Sequence, residues 1–118
     1  MKNYKELEVW QKGMDLTVEV YQITRAFPPE EKFGLVSQIQ RAARSIPANI
    51  AEGWGRGSTK EYIQFLRVAR ASLMDLETHL ILASRLSYIP GDRSGTLQQE
   101  VETLGKSINS LIQSLLKK

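Results

Sequence analysis

Four amphipathic stretches, separated by three clusters of proline and glycine, constrain this chain more than any other feature of its sequence. Apolar residues recur at steps of three and four, which lays them along one face of a helix, and no segment alternates with the period of two that a strand requires. The first stretch runs from Tyr4 to Ala26 and stops at Phe27-Pro28-Pro29, where two prolines remove amide donors and fix φ. The second runs from Pro29 to Glu52 with Val36, Ile39, Ala43, Ile46 and Ile50 as its seam. Gly53-Trp54-Gly55-Arg56-Gly57 ends it, and Ser58 with Glu61 three residues later has the capping-box spacing that opens a third helix. Tyr62, Leu66, Ala69, Leu73, Leu76, Leu80 and Ala83 hold one face of that helix as far as Tyr88. After the turn Ile89-Pro90-Gly91-Asp92, a fourth helix beginning near Ser94 aligns Leu97, Val101, Leu104, Ile108, Leu111 and Leu115.

Short connections make neighbouring helices run in opposite directions. The expected architecture is therefore all-α: an antiparallel up-down-up-down four-helix bundle forming one domain over residues 1–118, with its tightest reversal after Glu52. The first helix carries more apolar surface than a lone bundle needs. Leu7, Trp10, Met14, Thr17, Tyr21 and Thr24 form one stripe, and Val9, Gly13, Leu16, Val20, Ile23 and Phe27 form another, rotated around the same helix. Only one stripe can face the chain's own core, and Ile81 and Leu82 lie off the main seam of the third helix in the same way. Contiguous exposed apolar surface marks an interface, so the chain is expected to be a homo-oligomer, with Val9, Leu16, Val20 and Ile23 at the contact between copies. The competing arrangement packs the second stripe under the Phe27-Pro28-Pro29 turn and the chain ends.

Hydrophobic residues make up 42% and charged residues 25% of the chain, which fits a globular protein and neither a disordered tail nor a membrane protein. No run approaches the ~20 apolar residues of a membrane span, and the charged N-terminal segment lacks the apolar core of a signal peptide, so a cytoplasmic location is expected. The absence of cysteine excludes disulfides, a thiolate nucleophile and any cysteine-based metal site. His79 is the only histidine and has no second one to share a metal with; Asp75 and Glu77, like Glu100 and Glu102, lie two apart on helices and point in different directions. The run from Gly53 to Lys60 lacks the spacing of a nucleotide-binding phosphate loop and follows a helix where such a loop follows a strand. No catalytic residue, metal site or cofactor is expected, and the protein is expected not to be an enzyme.

Charge is unevenly placed. Between residues 41 and 70 stand Arg41, Arg44, Arg56, Lys60, Arg67 and Arg70 against only Glu52 and Glu61, a local excess larger than the net +3 of the whole chain. Such a set flanking the hairpin of the second and third helices can neutralise several phosphates of RNA or DNA, or it can be a solvated surface with local ion pairs. Gln38, Arg41, Ser45, Asn49 and Glu52 recur at steps of three and four across Pro47, which sits inside the second helix and deprives the Ala43 carbonyl of its helical donor. This polar stripe is either a solvated outer face, or a set in which Asn49 and Glu52 cap backbone groups freed by the proline and loop or bond across a subunit interface.

The run from Gln38 to Arg56 resembles the pattern Q-x-R-R-A-x-x-S-I-P-x-N-I-A-E-G-x-G-R of the four-helix bundle proteins encoded by intervening sequences in bacterial 23S ribosomal RNA genes. Its flanks resemble that family too: Leu7-Glu8-Val9-Trp10-Gln11, the run from Phe27 to Leu35, and Ser72-Leu73-Met74-Asp75-Leu76-Glu77-Thr78. The chain departs from the pattern at Gln40, where arginine is usual, and at Asp75, where glutamate is usual. The resemblance implies a bundle that associates into a ring, a pentamer in relatives. It also implies similarity to the accessory variability proteins of diversity-generating retroelements, basic pentamers associated with nucleic acid and a reverse transcriptase. It attaches no roles to the polar motif positions Gln38, Arg41, Ser45, Asn49, Glu52 and Arg56. Two functions follow as expectations: a non-enzymatic oligomer whose basic face, repeated around a ring, contacts structured RNA or DNA, or a protein-interaction scaffold without nucleic-acid binding.

Overall fold

The structure, a computed structural model, describes residues 2–118 and contains four α-helices and no strand among them: α1 (Glu8–Thr24), α2 (Leu35–Trp54), α3 (Thr59–Arg85) and α4 (Gly91–Leu116). Short 3-10 turns at Tyr4–Glu6 and Pro29–Glu31 precede α1 and α2. The molecule is a rod of 46 × 24 × 20 Å whose core runs its whole length.

The seams come close to those the periodicity dictates. Ile39, Ala43, Ile46 and Ile50 of α2, Leu66, Ala69, Leu73, Leu76, Leu80 and Ala83 of α3, and Leu97, Val101, Leu104 and Ile108 of α4 are all buried. Ile63 rather than Tyr62 opens the buried face of α3, and Ile112 rather than Leu111 closes that of α4. The double proline starts only a 3-10 turn, and α2 itself begins at Leu35. At the other end of the core α3 stops at Arg85, where Ser87 adopts φ 64° and the Tyr88 amide reaches back to the Ala83 carbonyl at 2.9 Å. This is a left-handed helix ending that glycine usually provides. The loop after α2 is the shortest connection, residues 55–58, and Gly57 takes φ +85° there. Ser58 caps α3 by accepting from the Glu61 amide at 3.2 Å, while the Glu61 carboxylate accepts from the Ser58 hydroxyl at 3.1 Å, so only half of the reciprocal capping box forms.

The first helix corrects an expectation. Val9, Leu16 and Val20 are 5%, 3% and 0% exposed in the chain's own core and Ile23 packs against that core, so these four are not a surface for a second copy. Gly13 explains why this stripe turns inward. A Cβ there would lie 3.5 Å from Ile46 and Pro47, so the glycine lets α1 settle onto α2 at this level. Of the other stripe Leu7 and Thr24 are buried as well and Trp10, Thr17 and Tyr21 are half-buried, while Met14, and Val18 one turn further on, stay 40% and 54% exposed.

Candidate nucleic-acid interface and the polar seam

The polar stripe of α2 does not form one solvated face. Gln38 donates to Asp75 at 3.2 Å, the Ser45 and Ser72 hydroxyls are bonded at 2.8 Å, and the Asn49 amide donates to the Ser45 carbonyl at 2.7 Å and hydroxyl at 2.9 Å. All five side chains are half-buried, and the Gln38–Asp75 and Ser45–Ser72 bonds are rungs of a ladder between α2 and α3, the most extensively packed pair of helices, with Asn49 bracing Ser45 from within α2. Arg41 and Glu52, on the same stripe, stay exposed. Asp75 also faces His79, whose Nδ1 lies 2.8 Å from an Asp75 carboxylate oxygen; the lone histidine is thus engaged on its own helix. Gln40, at the position where the family pattern has arginine, donates to Thr24 at 3.1 Å.

Asn49 and Glu52 do not serve the carbonyl that Pro47 deprives. Thr17 of α1 does. Its hydroxyl lies 2.7 Å from the Gly13 carbonyl and 3.1 Å from the Ala43 carbonyl, and it shares its hydrogen between them. α2 continues through Pro47 to Trp54, because the missing intrahelical bond is replaced from the neighbouring helix.

The six cations do not converge on one point. Arg44 donates to the Tyr21 hydroxyl at 2.7 Å on the α1 side of α2, and Arg70 donates to Asn109 at 2.9 Å on the α4 side of α3. Arg56 sits 4.8 Å over the Phe65 ring, with Glu61 at 3.8 Å. Arg41, Lys60 and Arg67 are exposed and make no ion pair or side-chain hydrogen bond among the described residues. Charge thus spreads along the outer surface of α2 and α3, as a polymer contact requires, rather than gathering into a small-anion site. Trp54 and Tyr62 close this end of the bundle edge to face at 6.1 Å, and the buried Tyr62 hydroxyl has no partner. Burial raises its pKa above the ordinary tyrosine value.

A second polar region, which no local sequence pattern marks, lies between α1 and α4. It is a groove of about 500 Å³ lined by Lys12, Asp15, Glu19, Gln99, Glu100 and Thr103 among others, along the most sparsely packed pair of neighbouring helices. Arg93 pairs with Glu19 at 2.9 Å. The Glu100 carboxyl is pushed up from 4.5 to about 7, first because it hydrogen-bonds to Glu19, then by burial and by the Glu19 charge, with Arg93 opposing. A carboxyl that holds its proton more tightly when folded stabilises the protein below pH 4.5, and that contribution is lost as pH rises to about 7. Glu100→Gln is therefore expected to leave stability unchanged near pH 4 and raise it by about 1 kcal/mol at pH 8, a magnitude kept small by solvent screening at the exposed Glu100. Urea unfolding of both proteins across this pH range checks it; parallel pH profiles would refute the shared proton.

Fold and surface define a four-helix bundle protein whose polar signature is folded into a helix seam and whose cations lie outside it. The chain belongs to the 23S rRNA-intervening sequence protein family, whose model matches residues 5–110. It is similar to a solved structure from Bacteroides thetaiotaomicron VPI-5482, described as a protein of unknown function from the S23 ribosomal protein family. The two are 26% identical with a TM-score of 0.82, over 89% of this chain and 95% of that one. None of the curated proteins matches the chain. Among the described residues no helix is long and apolar enough to cross a membrane.

Proposed function

We propose that this protein is a non-enzymatic, self-assembling bundle that contacts structured RNA or DNA through the outer face of α2 and α3. The observation that carries the proposal is the set Arg41, Lys60 and Arg67, exposed along these two helices without any anionic partner among the described residues. A phosphate backbone is the ligand for which such spacing is useful, and the family's name, taken from an intervening sequence of 23S rRNA, makes RNA the first to test. The up-down-up-down order of the helices is supported by the α2–α3 partners, whose numbers fall on one helix as they rise on the other: Gln38 with Asp75, Ser45 with Ser72, Gly53 with Phe65. Assembly into a ring is supported by apolar surface on α1 and α3 that the bundle core does not use. A ring multiplies weak phosphate contacts into avid binding.

The triple variant Arg41→Glu/Lys60→Glu/Arg67→Glu is expected to weaken binding to a labelled RNA hairpin by tenfold or more, measured by fluorescence anisotropy. Wild-type binding is expected to fall steeply between about 50 and about 200 mM salt. Arg56 is left intact because its packing on Phe65 confuses charge with structure. No wild-type binding to the hairpin or to a matched DNA duplex at low salt would reject the reading and leave a scaffold for a protein partner.

A further inference from the structure

A closed ring with more than two members joins unlike faces, so each copy must present two surfaces that complement one another. Two candidates stand apart on this chain. The first is a groove of about 550 Å³ between α1 and α2, walled by Trp10, Met14, Val18 and Tyr21 and bordered by Arg25 and Arg44, with no carboxylate lining it. The Arg44 guanidinium is held at the groove by its bond to the Tyr21 hydroxyl. The second is an exposed apolar patch where the turn before α2 meets the end of α3. Phe33 is 88% exposed there, and Leu82 and Leu86, one helical turn apart, are 46% and 47% exposed. The bond from Gln38 to Asp75 sets α2 against α3 so that the residues just before α2 come level with the last turns of α3, and the Tyr88 hydroxyl, just beyond α3, ties the turn to that end through Glu31 at 2.9 Å.

The charges around the two surfaces are opposite in sign. Glu30 and Glu31 stand in the turn beside Phe33 and Asp75 lies on the Leu82–Leu86 side of α3, against Lys32 and Arg85, and Lys32 lies over the Phe33 ring. The groove offers only arginines. An apolar groove with a cationic rim against an exposed apolar patch with an acidic excess is the complementarity of a specific protein contact.

We infer that the α1–α2 groove of one copy receives the Phe33–Leu82–Leu86 patch of the next copy. This rests on the self-assembly proposed above and names the two faces that carry it. The full-length chain tests it with one variant per face: Val18→Arg in the groove and Leu86→Glu in the patch, both at exposed positions that leave the core intact. Each variant alone is expected to run as a monomer in light scattering, where the wild type is larger, with unchanged helical circular dichroism. An equimolar mixture is expected to form a heterodimer of twice the single-chain mass and nothing larger, because one intact groove and one intact patch remain. Met14→Arg and Leu82→Glu repeat the test should either variant unfold. A wild-type oligomer whose patch variants stay fully assembled, or variants that fail to associate on mixing, would overturn the pairing and leave self-assembly standing. A monomeric wild type would remove self-assembly itself, and the pairing with it. Release of the oligomer by the RNA hairpin would assign the groove to nucleic acid and overturn the pairing.

Discussion

Gly53→Ala is expected to lower stability by about 2 kcal/mol, although on helix propensity alone it should stabilise. Gly53 lies in the last turn of α2, where alanine is worth about 1 kcal/mol more than glycine. Against this, a Cβ at Gly53 would fall 2.7 Å from the Phe65 Cβ and 3.2 Å from both the Tyr62 ring and the Tyr62 carbonyl oxygen. No rotamer relieves the first contact, because a Cβ is fixed by its backbone, and the carbonyl belongs to α3 itself. The helices must separate, where they are most extensively packed and the Trp54–Tyr62 pair closes the bundle end. Forcing an added methyl into a packed contact costs about 1–3 kcal/mol or more, enough to outweigh the gain in propensity. For a domain of this size the melting temperature should drop by about 8 °C. A variant melting at or above the wild-type temperature would mean that α2 and α3 slide apart at no cost and that the close approach is incidental.

The same glycine marks the limit of what the sequence disclosed. Its place after a helical seam identified it as a terminator, and α2 does end one residue later at Trp54, but its contact with Phe65 joins residues twelve apart that no local pattern relates. The four helices, their connections and nearly all of the α2, α3 and α4 seams were legible, because burial on one side of a helix imposes a period that any reader can count. Which stripe of α1 faces inward was not legible by that means. Both have a comparable apolar content, and periodicity cannot decide between two stripes of the same period. Gly13 was the available signal, since a residue without a side chain is placed where a neighbouring helix comes close. The polar motif positions were legible as a stripe and illegible as a ladder. Gln38, Ser45 and Asn49 have the spacing of a solvated face, and only the neighbouring Asp75 and Ser72 of α3 turn Gln38 and Ser45 to interhelical bonds, with Asn49 bonding back to Ser45. The cations stand out by count, but what each of them meets depends on Tyr21, Asn109, Glu61 and Phe65, all four of which lie outside the motif on α1, α3 and α4.

Thr17→Val should cost about 1.5 kcal/mol, and the cost should shrink to about 0.5 kcal/mol when Pro47→Ala is also present. Valine keeps the shape of threonine and removes only the hydroxyl, so the change leaves the Ala43 carbonyl, at a buried residue inside α2, without a donor. Alanine at 47 restores the amide that α2 lacks there, and the carbonyl no longer depends on α1. Pro47→Ala alone removes ring atoms that pack beside Gly13, so its own effect mixes lost contact with a gained hydrogen bond and cannot be read singly. The cycle removes that ambiguity, since the packing loss is common to both rows and cancels in the coupling, expected near 1 kcal/mol from chemical unfolding of the four proteins. A coupling near zero would mean that Thr17 serves only the Gly13 carbonyl of its own helix, as a threonine does on any helix surface. A measurable coupling would tie the proline of the signature to a hydroxyl thirty residues upstream, outside the signature, and make α1 part of what the signature requires.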